Sequence, residues 1–203
     1  MDLTTIRSFV SLGFGHITAP GALDHILFLL VLAAIYRWTE WRQALVVVTA
    51  FTAGHSLTLA IALLRPDLLP SPSMVEFLIP LTIVVTGIEN IVTRGRRELR
   101  IHTLRRAGLA AGFGLIHGAG FAGYLSDLIP GSIGAPLLGF NVGLEIGQAV
   151  VLTVAFFALA GFDAALRVML GGGESASFRL RVVAVSAVVA FAGSAWALQR
   201  APW

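Results

Sequence analysis

The chain has 203 residues, of which 57% are hydrophobic and 12% are charged. Soluble domains carry about 25% charged residues, so this composition excludes an ordinary soluble domain and predicts an integral membrane protein. The chain has no cysteine, which excludes disulfides and thiolate metal ligands. Its net charge of +3 comes from arginines that cluster at predicted helix ends, a pattern typical of membrane topology and not of nucleic-acid binding.

The N-terminal segment is predicted to be a broken or re-entrant helix. Residues 3–18 are mildly apolar but short for a span, which needs about 20 residues. Pro20 follows, and proline interrupts helices. The segment is therefore either the first half of a helix broken at Pro20 or an interfacial or re-entrant helix. Residues 22–35 continue as an apolar run and end in a belt of aromatic and basic interface residues (Tyr36, Arg37, Trp38, Trp41 and Arg42).

Five further stretches are long and apolar enough to cross a membrane: residues 44–64, 74–92, 107–125, 135–160 and 182–198. They predict an all-α integral membrane protein, a single domain over residues 1–203 with about six transmembrane helices. The predicted loop 93–106 holds six Arg and one Glu, which indicates the cytoplasmic side. Counting outward puts the predicted loops 36–43 and 161–181 inside as well. Six crossings then place the N-terminus outside; a seventh, through residues 3–18, would place it inside.

A weak internal sequence similarity predicts two inverted three-helix repeats, residues 1–93 and 104–203. The letters GFG at 13–15 recur at 112–114, and in both places a histidine follows within three residues. FTAG at 51–54 is echoed by FNVG at 140–143. Inverted repeats that meet near the midplane are a common transporter plan. Chance similarity among Gly- and Phe-rich spans is the alternative.

Ionisable side chains lie inside this apolar chain. Four of the five histidines (His16, His25, His55 and His117) fall in or beside predicted spans, while His102 falls in the Arg-rich loop. A charged residue at membrane depth costs roughly 2.5–3.5 kcal/mol on insertion scales. These histidines, with Asp24, Glu89 and Glu145, are therefore predicted to share a cation that offsets several such costs at once.

The helical spacing supports a shared site. Residues at i, i+3 and i+4 lie on one helix face, and three predicted helices have such polar faces. The faces are Thr52, His55, Ser56 and Leu59; Asn141, Glu145 and Gln148; and Thr86, Glu89 and Asn90. Imidazole with carboxylate suits Ni²⁺, Co²⁺, Zn²⁺ or Cu²⁺, whereas the lack of Cys argues against Cu⁺. Glycines around His117 indicate close helix packing or, alternatively, a helix break.

Five segments together resemble the HupE/UreJ family of bacterial nickel (or cobalt) permeases. In chain order they read HI-x₃-GALDH-x-LFLLVL, FTAGHSLTLA, VE-x₁₂-EN, FGLIHGAGFA and FNVGLEIGQ, and they cover roughly residues 12–150. The paired Asp24-His25 after His16 also resembles the H-x₄-DH signature of the wider nickel–cobalt permeases, although seven residues separate His16 from Asp24 here.

The resemblance implies a multi-pass protein of the bacterial cytoplasmic membrane that takes up metal for hydrogenase or urease. It implies metal-site candidates at His16, Asp24, His25, His55 and His117 and transit or supporting ligands at Glu89, Asn90, Asn141 and Glu145. No catalytic cofactor is implied, and the predicted partners are the divalent ion and the lipid bilayer, with homo-oligomerisation left open. No GxxxxGK[ST] motif is present, so active transport would need an ion gradient, the membrane potential or a partner.

Three functions remain open at this point. In a permease, Ni²⁺ would dock at Asp24 and His25 and pass His55 and His117, and uptake would fall below about pH 6 because protonated imidazoles do not bind metal. In an intramembrane zinc hydrolase, the metal would need an open water position beside a substrate-sized cavity. In a structural or sensory subunit, the histidines would only join helices, at about 0.6 kcal/mol per interhelical hydrogen bond.

Overall fold

The computed structural model describes residues 3–93, 99–129, 131–171 and 173–203. These parts of the chain form seven α-helices and no strands. The helices are α1 (Leu3–Thr18), α2 (Leu23–Ala33), α3 (Trp41–Leu64), α4 (Pro72–Thr93), α5 (Leu99–Leu128), α6 (Gly134–Leu170) and α7 (Glu174–Gln199). Single 3₁₀ turns at Trp38–Glu40 and Pro66–Leu68 precede and follow α3.

Helices α3 to α7 are each long and apolar enough to cross a membrane. Helices α1 and α2 qualify only as a pair, bent by 69° at the break that contains Pro20 and Gly21. The count is therefore five spans, or six if the bent pair is one span. This confirms the predicted all-α membrane bundle with an interrupted N-terminal segment, and the protein is a multi-pass membrane protein.

Two predicted loops are shorter in the structure than in the sequence prediction. Residues 161–181 were expected to form a loop, but α6 continues to Leu170 and α7 begins at Glu174. Gly161 does not end α6; the helix ends at Gly171, whose φ of 62° suits glycine. The Arg-rich segment 93–106 is also partly helical, because α5 begins at Leu99. Residues 94–98 and the side chain of His102 lie outside the described part, so the solvated role predicted for His102 stays a prediction.

Glycines set the closest helix contacts. Helices α1 and α6 run parallel, with Gly13 against the carbonyl of Phe140. Helices α3 and α5 also run parallel, with Gly114 against the carbonyl of Phe51. Small residues let helix backbones approach this closely. Helix α5 is continuous around His117, so its glycines allow close packing and the alternative of a helix break was wrong.

The helix pair α1–α6 and the helix pair α5–α3 are packed in corresponding ways. Gly13 in α1 corresponds to Gly114 in α5, and the same offset relates His16 to His117. The GFG letters themselves are therefore two residues out of register with the structural correspondence. Between α5 and α6, the residues that the structure describes form no helical counterpart of α2. The division into half-repeats 1–93 and 104–203 stays a prediction.

Helix α2 lies among the other helices and positions two of the candidate ligands, Asp24 and His25. It packs against α1, α3, α4, α6 and α7. Six of its eleven residues are buried, beginning with His25 in its first turn. An apolar helix buried on most sides is typical of the interior of a bundle. The start of α2 therefore brings Asp24 and His25 to the inside of the fold.

Candidate metal centre

Four histidines from four helices meet at one place. His16 is in the last turn of α1, His25 in the first turn of α2, His55 in α3 and His117 in α5. The ring centroid of His16 is 4.6 Å from that of His25 and 5.7 Å from that of His55. The ring centroids of His25 and His117 are 5.1 Å apart. The structure thus brings together the four histidines of the predicted set, whereas Glu89 and Glu145 of that set lie elsewhere.

Several ring nitrogens of this cluster lie close together and have no hydrogen-bond partner in the described part of the chain. One ring nitrogen from each of His16, His25 and His55 lies within 4.8 Å of the others. Among the described residues, no hydrogen-bond partner reaches Nε2 of His16, Nε2 of His25, either ring nitrogen of His55, or Nδ1 of His117. A buried polar atom without a partner costs about 1–3 kcal/mol. A shared metal ion would satisfy several of these atoms together.

Asp24 orients His25. Its Oδ1 accepts a hydrogen bond from the backbone N–H of His25 at 2.8 Å and lies 3.0 Å from Nδ1 of the same residue. A carboxylate in this position makes Nδ1 the protonated ring nitrogen and leaves Nε2 as the free lone pair. Asp24 also lies in the first turn of α2, where the helix dipole favours negative charge. The pair therefore leaves Nε2 of His25 as the ring nitrogen without a partner among the described residues.

Thr82 is a contact that the sequence analysis missed. Its Oγ1 lies 2.9 Å from Nε2 of His117. The only sequence signal was its position four residues before Thr86, on the polar face predicted for α4. The hydroxyl of Thr86 donates to the carbonyl of Thr82, so this residue of the polar face predicted for α4 bonds within its own helix.

Phenylalanines enclose the cluster. The ring of Phe121 lies 4.0 Å from His16, and the ring of Phe51 lies 5.1 Å from His117, measured between centroids. Phe28 lies 5.5 Å from His117, and Phe140 lies 6.2 Å from His55, so these two rings complete the enclosure. An apolar shell excludes water and strengthens the interaction of a cation with its ligands.

A cavity of about 300 Å³ reaches one side of the cluster. Its lining includes His16, Asp24 and His25 together with the small residues at the α1–α2 break. His55 and His117 do not line it, and their exposures are only 0% and 1%. The candidate ligands are therefore arranged from an accessible group to an enclosed one.

Glu89 and Asn90 lie in a different set of contacts, which we call the ionic network. Glu89 pairs with Arg105, and Asn90 Oδ1 accepts from Arg106 at 2.7 Å. Asn90 Nδ2 donates to the carbonyl of Val31 at 2.6 Å. Asn90 also donates to Ser186 of α7 at 3.1 Å, and no contact of either residue with a histidine is present among the described residues.

The ionic network also includes Arg181 of α7. Its guanidinium donates to Asp163 at 2.6 Å and to the carbonyls of Tyr36 at 2.8 Å and Ala34 at 3.2 Å. The last carbonyls of a helix have no partner within the helix. Asn90 and Arg181 thus hold the carboxyl-terminal end of α2, while its amino-terminal end carries Asp24 and His25.

Asn141 and Glu145 face α3, outside the histidine cluster but close to it. Asn141 Oδ1 accepts from Ser56 at 2.6 Å, and Glu145 accepts from Thr49 at 3.2 Å. These four residues line a cavity of about 500 Å³ between α3 and α6. One turn further along α6, Gln148 accepts from Thr52 at 2.8 Å. Thr52 and Ser56 of the polar face predicted for α3 are therefore paired with the polar face of α6, whereas His55 of the same face belongs to the histidine cluster.

Comparison with known proteins gives one family. A family model described as HupE / UreJ protein matches residues 2–200, nearly the whole chain. No curated protein and no solved structure matches the chain.

Proposed function

The chain belongs to the HupE/UreJ family, a transporter family associated with nickel and cobalt, and from this premise we propose that it is a permease for divalent transition-metal ions. Nickel is the favoured substrate, and the bacterial cytoplasmic membrane is the favoured location. The observation that carries the proposal is the group formed by His16, His25 and His55, whose ring nitrogens lie close enough to hold one ion, with the buried ring of His117 next to His25 in a bundle of membrane-spanning helices.

The donor set suits a transition metal. Imidazole nitrogen binds Ni²⁺, Co²⁺, Cu²⁺ and Zn²⁺ well, whereas Mg²⁺ and Ca²⁺ prefer oxygen ligands. The chain offers no thiolate, since it has no cysteine. Among the remaining ions, the family association favours nickel or cobalt over zinc or copper.

The proposed path begins at the cavity beside Asp24. The carboxylate attracts a hydrated cation, and His16 and His25 replace part of its water shell. As the ion moves on to His55 and His117, one imidazole ligand replaces another. The ion therefore never enters the apolar membrane interior without ligands. Transport needs sites that bind well enough to desolvate the ion but weakly enough to release it. Overlapping histidine ligands meet both needs.

The remaining candidates take supporting roles in this proposal. Asn141 and Glu145 offer oxygen ligands for a transit step, because Ser56 joins their polar face to the helix turn that carries His55. Glu89 and Asn90 act on the site indirectly, through the end of α2 that Asn90 binds.

Uptake of radioactive nickel by cells tests the proposal. We expect His25→Ala and the double variant Asp24→Asn/His25→Ala to accumulate nickel at the level of cells without the protein. His102→Ala is the matched control, because it removes the one histidine predicted to lie outside the site, and it should transport like the wild type. Equal accumulation by His25→Ala and wild type at equal protein levels would contradict the proposal.

Reconstituted protein separates a permease from a hydrolase. A permease moves Ni²⁺ into vesicles that contain only lipid and the purified protein, in the direction of the metal gradient or the membrane potential. Protein that binds one metal ion tightly but moves none across the vesicle membrane would overturn the permease and favour the hydrolase.

A further inference from the structure

The hydroxyl of Thr82 makes two contacts that together decide where its hydrogen points. Oγ1 of Thr82 lies 2.7 Å from the backbone carbonyl oxygen of Ile79 and 2.9 Å from Nε2 of His117. A hydroxyl has one hydrogen to donate, and a carbonyl oxygen can only accept. Two oxygens 2.7 Å apart need a hydrogen between them, so the hydrogen of Thr82 points at the carbonyl of Ile79. The contact with His117 must then run the other way, with the Nε2–H of His117 donating to Thr82.

This direction sets the tautomer of His117. A neutral imidazole has a single N–H, so protonated Nε2 leaves Nδ1 as the lone pair. Nδ1 of His117 is buried and has no hydrogen-bond partner among the described residues. The neighbouring ring in the cluster is that of His25, with 5.1 Å between centroids. The atom of His117 left free to bind a cation is thus Nδ1.

His25 is set to the opposite tautomer by a different partner. Its Nδ1 lies 3.0 Å from Oδ1 of Asp24, so Nδ1 carries the hydrogen and Nε2 is free. Nε2 is also without a partner among the described residues. A carboxylate on α2 and a hydroxyl on α4 therefore orient two adjacent imidazoles so that each exposes a lone pair.

We propose that Thr82 is a positioning residue of the metal centre, which holds His117 as the Nε2–H tautomer and so presents Nδ1 to the transported cation. The proposal rests on the proposed function for the cation and on the Ile79–Thr82–His117 geometry for the tautomer. Partners that fix the orientation of metal-binding histidines typically change metal affinity by 10–100-fold when removed.

Two buried threonines of α4, one turn apart, provide a matched test. Thr82 and Thr86 both donate a hydroxyl hydrogen to a carbonyl of α4, but among the described side chains only Thr82 of the two bonds to a histidine. Thr82→Val keeps the shape and removes the acceptor, Thr82→Ser restores a hydroxyl, and Thr86→Val is the control. Ni²⁺ titration of purified protein should show 10–100-fold weaker binding for Thr82→Val and near wild-type binding for the other two.

Nitrogen NMR of histidine-labelled, metal-free protein reads the tautomer directly. We expect a protonated Nε2 at His117 in wild type and in Thr82→Ser, and a mixture of tautomers in Thr82→Val. Protonated Nδ1 in the wild type would overturn the proposal. Equal loss of affinity in Thr86→Val would also overturn it, because it would indicate a packing effect of α4.

The two readouts distinguish this proposal from the proposed function. Wild-type protein that binds neither Ni²⁺ nor Co²⁺ would overturn the proposed function and the part of this proposal that concerns the cation. The metal-free spectrum would still confirm or contradict the assignment of the tautomer to Thr82.

Discussion

The histidine cluster and the ionic network hold buried polar groups in opposite ways. In the ionic network, Arg181 binds a carboxylate and two backbone carbonyls, and Asn90 binds Arg106 and a carbonyl of α2. In the cluster, both ring nitrogens of His55 and one each of His16, His25 and His117 have no partner among the described residues. Most polar atoms of the ionic network find partners within the protein, although Nε of Arg181 and Oδ1 of Asp163 have none among the described residues, whereas the cluster leaves several ring nitrogens without any partner.

This difference indicates which buried polar groups stabilise the fold and which are kept for function. Buried polar groups are normally hydrogen-bonded, because each one left without a partner costs free energy. The chain meets this rule at the end of α2 that it must hold in place, and departs from it at the end that carries His25. The ionic network should therefore stabilise the metal-free protein, whereas the cluster should stabilise the protein only when metal is bound.

The largest expected effect comes from breaking the ionic network. Arg181 is 4% exposed and binds Asp163 at 2.6 Å. Arg181→Ala leaves that carboxylate without its cation, and we expect the free energy of unfolding without metal to fall by roughly 3–5 kcal/mol. Chemical unfolding of the purified protein in detergent measures the change.

Arg179→Ala is the control for this prediction. Arg179 lies two residues earlier on α7 and is exposed. Its replacement should change stability by less than about 0.5 kcal/mol. Equal effects of the two substitutions would remove the contrast between network and cluster.

The second effect tests the cluster through bound metal. Ni²⁺ at 100 times its dissociation constant should raise the free energy of unfolding of the wild type by about 2.7 kcal/mol. His55→Leu should lose this stabilisation, while its metal-free stability should stay within about 1 kcal/mol of the wild type, because an apolar side chain replaces two unpartnered nitrogens. Thermal unfolding with and without Ni²⁺ measures both quantities.

His102→Leu should keep the full response to Ni²⁺. A metal-free His55→Leu protein as unstable as Arg181→Ala would mean that the cluster, like the network, holds the fold together by itself.

The third effect concerns the helix pair that carries His55 and His117. A Cβ on Gly114 would overlap the backbone carbonyl of Phe51, whereas a Cβ on Gly112 would have nothing within 4 Å. Gly114→Ala should therefore lower stability by about 1–3 kcal/mol through overpacking. Gly112→Ala should raise it by about 0.5–1 kcal/mol, since alanine is the better helix former. If the unfolding midpoints of both variants shifted in the same direction, the result would contradict the observed register of α3 and α5.

The smallest effect is at the ion pair of Arg65 and Asp67. The hydrogen bond from Arg65 keeps the pKa of Asp67 below its usual value. A lowered carboxyl pKa stabilises the fold above that pKa, and the contribution is lost as the pH falls through it. Both side chains are exposed, at 63% and 60%, so solvent screens the pair. Arg65→Gln should leave the melting temperature at pH 7 unchanged, in contrast to Arg181→Ala.

Much of the site could be predicted because membrane burial makes polar residues stand out. His16, His25, His55 and His117 fall in an apolar chain, and their convergence follows from the cost of burying each one alone. Thr82 could not be predicted, because a threonine hydroxyl can bond to its own helix and needs no outside partner. Its contact with His117 depends on how α4 and α5 cross. The binding of metal by these residues stays a prediction.

The neighbours of Glu89 also depended on tertiary structure. Its polar helix face suggested the metal path, but the arginine of α5 that pairs with it comes from a different segment of the chain. A period of 3.6 residues predicts which side chains share a face, but it does not predict which other helix that face meets.

The sequence by itself determined the class of the protein, its membrane-spanning helices, the break at Pro20 and the set of histidines. These depend on hydropathy and on local backbone limits, which are properties of neighbouring residues. Only the tertiary structure decided which nitrogens stay free, where α6 ends and what holds α2 in place. Those outcomes depend on atoms far apart in the chain that come within hydrogen-bond distance only when the helices pack.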